Sequence, residues 1–146
     1  MGQIAVGTCA WGDHEDFYPR GVKPSDRLAY YARYFPLVEV DSSFYAIPNP
    51  RYVERWAASV PDHFTFNMKV FKGMTGHERG LSEEERLALF PAYRNAIQPM
   101  VEAGKLTAIL FQQPPWFDLN REHVDYLRRC RDFFHDLTVA VEFRHR

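Results

Sequence analysis

Five apolar runs recur along the chain, Ile4–Trp11, Val38–Tyr45, Phe64–Lys72, Leu106–Pro115 and Thr138–Arg146, and each closes on polar residues. The segments between them carry helical periodicity, so the order reads β-α-β-α-β-α-β-α-β. Strands joined by helical crossovers pair in parallel. Folds of this kind keep their ligand sites at the carboxyl ends of the strands, where the polar residues of this chain collect.

The punctuation of the crossovers predicts four helices. Ser25 is placed to cap the first, in which Leu28, Tyr31, Ala32 and Phe35 share a face before Pro36 stops it. Asn49 followed by Pro50 opens the second, with Val53, Trp56, Ala57 and Val60 as its apolar stripe. Ser82 and Glu85 form a capping box for a third that runs to about Ala103 and ends at Gly104. Pro91 and Pro99 are expected to bend or divide it. Asn120 caps the fourth, where Val124, Leu127, Cys130 and Phe134 share a face, so Cys130 reads as a packed apolar residue.

Strand parity turns this layout into chemistry. In a barrel, alternate residues point to the helices and to the interior. If Val38 and Val40 take the helix side, Glu39 and Asp41 point inward, and the same reasoning sends Asn67, Lys69, Gln112, Glu142 and Arg144 inside. Three carboxylates and two cations then share one space. A buried, isolated charge costs several kcal/mol, so the set must neutralise itself or meet a charged ligand. A purely structural lattice of ion pairs is one reading. A functional site is the preferred one, because an apolar filling is usually at least as stable as buried ion pairs.

Aromatic residues make up 16% of the chain, and several fall just past the strand ends, with Trp11 and Tyr45 best placed to offer a flat face to a sugar ring or a base. His14, His77 and His145 each follow a different strand. With Asp13, Asp41 and Glu142 they offer a mixed set for a divalent metal, but no HxH or HExxH spacing supports one, so no cofactor is expected.

Composition narrows the class. With 46% hydrophobic and 25% charged residues, the 146-residue chain reads as one domain, residues 1–146. Eighteen Lys plus Arg against nineteen Asp plus Glu give no global attraction to nucleic acid, which makes a nucleic-acid partner unexpected. Cys9 and Cys130 have no disulfide or zinc spacing, and no run approaches a membrane span. A cytoplasmic protein is expected.

Many local motifs recur together in order: Gly7-Thr8-Cys9-Ala10-Trp11, Phe17-Tyr18-Pro19, Val38-Glu39-Val40-Asp41-Ser42-Ser43-Phe44-Tyr45, Lys69, Met74-Thr75-Gly76-His77, Gln112-Gln113-Pro114-Pro115 and Val141-Glu142-Phe143-Arg144-His145. Together they resemble the YecE-like family, a group of TIM-barrel proteins with no established activity. Cys9 stands where that family often has Ser, and Gly76 separates Thr75 from His77. The resemblance implies a (β/α)8 barrel of which this chain covers about the first five strands and four helices. Such a barrel typically needs about 250 residues. The missing C-terminal half, or self-association, is therefore expected to close it.

The sequence expectation for function is an enzyme of hydrolase- or isomerase-like, acid–base chemistry on a small polar substrate, carbohydrate or phosphate-bearing. Asp41, Lys69, Glu142 and Arg144 are its catalytic candidates, and Trp11, Glu39, Tyr45, His77, Gln112 and His145 its substrate-binding candidates. A non-catalytic module binding a ligand or nucleic acid with the same groups is the alternative.

Overall fold

A computed structural model describes Gly2 and residues 4–146. Strands β1 (Gly7–Cys9), β2 (Leu37–Val40), β3 (Thr65–Lys69), β4 (Leu106–Gln112) and β5 (Val139–Glu142) form one sheet in sequential order, every pair parallel. The crossovers hold helices α1 (Arg27–Tyr31), α2 (Ser42–Tyr45), α3 (Pro50–Ala58), α4 (Glu83–Ala88), α5 (Phe90–Glu102) and α6 (Arg121–Phe133). Within the described residues the sheet is open, with β1 and β5 at its edges. The described residues therefore form a five-stranded open α/β sheet.

The strands alternate as expected. Val38, Val40, Phe66, Met68, Ile109 and Phe111 are fully buried under the helices, while Glu39, Asn67 and Lys69 lie on the other face. Burying each of these apolar side chains contributes about 1.5–3 kcal/mol. Three buried tyrosines of the helical layer donate to backbone carbonyls: Tyr31 to that of Leu37, the first residue of β2, at 3.0 Å, Tyr93 to that of Lys69, the last of β3, at 3.0 Å, and Tyr126 to that of Met74, in the turn after β3. Each satisfies its own hydroxyl and a backbone acceptor.

The caps at Asn49, Ser82 with Glu85, and Asn120 are all formed, and Gly104 has a positive φ of 67°. The Ser82–Ala103 segment is divided as expected at Pro91, which has no N–H for the Leu87 carbonyl and whose ring crowds that group, whereas Pro99 lies inside α5 without ending it. Other expected boundaries are corrected. The run Val38–Tyr45 is a strand only to Val40. Ser43 turns its hydroxyl onto the carbonyls of Val40 (3.0 Å) and Lys69 (2.6 Å), which curls the chain into α2. Ser25 bonds the neighbouring Asp26 side chain and caps nothing; a 3-10 turn, Pro24–Asp26, leads into α1 instead.

No helix among the described residues is long and apolar enough to cross a membrane.

Candidate functional site

The register places the inward residues side by side at the carboxyl ends of the strands. Cys9 is paired with Glu39, Glu39 with Asn67, and Gln112 with Glu142. Lys69 lies one pleat beyond Asn67. Its ammonium, on a side chain only 14% exposed, bonds Asp41 and stands 3.6 Å from Glu39. The cation is thus clamped between two carboxylates from the neighbouring strand. Its backbone is fixed as well, since the Lys69 carbonyl receives both the Ser43 and the Tyr93 hydroxyls. The Asn67 Oδ1 is buried and has no hydrogen-bond partner.

Burial works against the Lys69 charge, but the hydrogen bond and charge of Asp41, with smaller contributions from Cys9 and Glu39, outweigh it and hold the pKa above the usual lysine value. Burial also acts on Cys9, whose thiol donates to Glu39 Oε1 at 3.4 Å. Desolvation, together with the two carboxylates and against the pull of Lys69, pushes the thiol up to about 11. Cys9 is therefore a neutral donor at neutral pH rather than a nucleophile.

This has a measurable consequence. Cys9 is exposed, yet with so little thiolate it should react with iodoacetamide at pH 7.5 about tenfold or more slowly than it does in the urea-unfolded chain. Glu39→Gln should accelerate the native reaction by removing the acceptor and a negative charge. A native rate equal to the unfolded one would contradict the assigned thiol state. Cys130, buried and raised to about 12 chiefly by desolvation, should stay unmodified in the folded chain.

A second group of side chains gathers above the ends of β3 to β5. His77 stands edge-on to Phe44 from the loop after β2 (5.0 Å) and to Trp116 from the loop after β4 (6.1 Å). Its Nδ1 lies 2.6 Å from the Thr75 hydroxyl. Burial, then the Arg144 charge and, more weakly, Lys72, outweigh Glu78 and hold its pKa below the usual histidine value. Arg144 itself bonds Glu142 at 2.7 Å. Trp116 donates its indole N–H to the Gly76 carbonyl at 2.8 Å and carries the Arg79 guanidinium over its ring at 4.1 Å.

The sequence-derived candidates thus fall into two neighbouring sets. Glu39, Asp41 and Lys69 form one contact cluster. Glu142 and Arg144 pair with each other, and Gln112 is buried beside Glu142 in the ladder. Trp11 packs edge-on against Trp56 at 5.4 Å and also lines a cavity of about 370 Å³ with Asp13, Asp41, Ser42 and Tyr45, the last 65% exposed. Ala10 turns the chain into this loop with a φ of 60°, a left-handed conformation that costs a non-glycine residue about 1 kcal/mol.

His145, three residues past the end of β5, lines a groove with Phe117, Leu127 and Phe143. The grouping of His14, His77 and His145 around a metal is not assembled. Among the described residues, the metal-capable atoms that lie within 4.8 Å of one another belong to Cys9, Glu39 and Asp41, and Lys69 already balances that charge.

Sequence reasoning passed over Cys9, Ser43, Thr75 and Tyr93 as site residues. Inward parity alone could have found Cys9, which shares its register row with Glu39. The other three act through contacts across 2 to 26 positions that no local pattern announces.

Known proteins share this architecture. A family model described as "Protein of unknown function DUF72" matches residues 5–146. The chain is similar to the UPF0759 protein YunF of Bacillus subtilis (strain 168), with 41% identity over 144 residues, which is 98% of this chain and 51% of that protein. It is also similar to the crystal structure of the DUF72 family protein EF0366 from Enterococcus faecalis V583, with a TM-score of 0.79 and 33% identity over 97% of this chain and 50% of the other. The crystal structure of the DUF72 family protein TM1631 from Thermotoga maritima MSB8 gives a TM-score of 0.78 and 28% identity over 97% of this chain and 56% of the other. The chain spans about half the length of these relatives.

Proposed function

We propose that this chain, which belongs to the DUF72 family, is a YecE-like member whose five strands form part of a (βα)8 barrel with an active site at the strand ends. Further strands, or a second copy of the chain, close the wall. In support, β1 and β5 are open parallel edges, and a groove of about 370 Å³ lined by Phe117, Val124, Leu127 and Phe143 lies beside β5, where a barrel would pack its next unit.

The chemistry proposed is acid–base or hydrolytic catalysis on a small polar substrate. The observation that carries it is the clamp of Lys69 between Asp41 and Glu39. An inward, largely buried cation held by two carboxylates orients both acids, and Tyr93 and Ser43 anchor the strand end that bears it. Glu142 and Arg144, hydrogen-bonded to each other, supply a third acid and a second cation to orient substrate oxygens.

Hydrolysis of chromogenic glycosides and phosphate monoesters by the protein is the test. Turnover that disappears in Asp41→Asn and Lys69→Met is the expected result. Turnover unchanged in both, or no turnover of either substrate class, would contradict the catalytic reading.

A further inference from the structure

The free polar groups at the strand ends are mostly acceptors, and this restricts what they can hold. The two charged clusters hold three carboxylates, Glu39, Asp41 and Glu142, and two cations, Lys69 and Arg144, which leaves one net negative charge among these five; in the loop after β3, Lys72 and Glu78 pair with each other at 2.9 Å and Arg79 lies over Trp116. Both cations are already engaged, Lys69 by Asp41 and Glu39 and Arg144 by Glu142. An anionic group entering this space would add like charge where partial burial weakens screening.

His77 adds an acceptor. The buried Thr75 hydroxyl has one proton, and it lies 2.9 Å from the Lys72 carbonyl, which can only accept. That proton is therefore given to Lys72, and the 2.6 Å contact between Thr75 and His77 requires the histidine Nδ1 to be the donor. In the neutral ring, Nε2 then carries the lone pair. The Asn67 Oδ1, buried without a partner, is one more acceptor on the inward face.

The cavity between the loops after β1 and β2 has the same character. Its lining holds Asp13, Asp41 and Ser42 for hydrogen bonding and the rings of Trp11 and Tyr45, with no Lys or Arg. Its volume of about 370 Å³ falls in the range of small-ligand sites.

Resting on the active-site reading above, we infer that this cavity is a subsite for a neutral, hydroxyl-rich ring rather than for a phosphate-bearing one. Hydroxyl groups of the ligand donate to Asp41 and Asp13, and an apolar ring face lies against Trp11 or Tyr45. The nearby cations are already engaged, Lys69 by Asp41 and Glu39 and Arg27 by the Gly12 carbonyl, so the two carboxylates and two aromatic rings of the lining fit a polyol better than a phosphate.

The probes are D-glucose, D-xylose and myo-inositol on one side, and inorganic phosphate and glucose 6-phosphate on the other, each titrated calorimetrically into the protein and read in parallel by saturation-transfer NMR. At least one neutral compound should bind saturably and at least tenfold more tightly than either phosphate compound. Asp41→Asn and Tyr45→Ala should each weaken it about tenfold or more; the exposed Tyr45 side chain can be removed without touching the core. Tighter binding of phosphate or glucose 6-phosphate, abolished by Lys69→Met, would overturn the ligand class while leaving the site in place. Binding of neither class, or binding indifferent to Asp41→Asn and Tyr45→Ala, would overturn the subsite together with the reading on which it rests.

Discussion

Lys69→Met is expected to abolish turnover, by about 100-fold or more, while lowering stability by only about 1–2 kcal/mol. Methionine matches the lysine stem in length and apolar character, so packing at the inward face changes little. The charge change is the large effect. Asp41 and Glu39 are left as two like charges on partly buried side chains, 30% and 26% exposed, and one of them must take up a proton or swing toward water. The stability loss stays below that of a fully buried pair because solvent reaches both acids. Lys69→Arg is not expected to rescue, since a planar guanidinium does not fill the compact position of an ammonium between two acids. Circular dichroism and urea unfolding alongside turnover separate the two effects. A variant that keeps full turnover, or one that fails to fold, would contradict this account of Lys69.

Gly7→Ala carries the largest expected effect on stability, about 2–4 kcal/mol in urea unfolding. A Cβ on Gly7 would lie 2.2 Å from the Leu37 carbonyl oxygen and 2.8 Å from Leu37 Cδ1. The side-chain contact can rotate away, but the carbonyl belongs to the β1–β2 ladder, where Gly7 is paired with Leu37. The whole of β1 must shift to accept the methyl group. That strand is three residues long and has one neighbour in the sheet, so few bonds oppose its displacement. Moving it also disturbs the row of Cys9 and Glu39, and the alkylation rate of Cys9 should rise with it. A loss under 0.5 kcal/mol would mean that the two backbones separate more freely than their packing implies.

The order of strands and the faces they present were legible because a parallel sheet covered by helices imposes a period of two on its inner and outer residues. Val38 and Val40 against Glu39, and Phe66 and Met68 against Asn67 and Lys69, follow that rule. The caps at Asn49, Ser82 and Asn120 were legible because each is completed within three residues. What could not be read depends on distant partners. The end of β2 at Val40 is set by Ser43 reaching Lys69, and the burial of Lys105 is set by its ammonium donating at 2.8 Å to the carbonyls of Ala57, in the last turn of α3, and Val60, just beyond it. Strand alternation says nothing of residues past the last ladder residue, Glu142, so the positions of Arg144 and His145 follow from the chain beyond the strand. The inward charges were expected to share one space; their partition into a Lys69 cluster and a Glu142–Arg144 pair follows from side-chain reach, which alternation does not encode.

If the carboxyl ends of these strands form the site, titration of the isotopically labelled protein with the neutral sugars and with their phosphate esters should give saturable amide chemical-shift changes confined to residues 9–13, 41–45, 69–77 and 112–116, reduced in Asp41→Asn. Shifts centred on the opposite end of the sheet, around His63 and Gly104, or spread evenly over the molecule, would contradict that assignment.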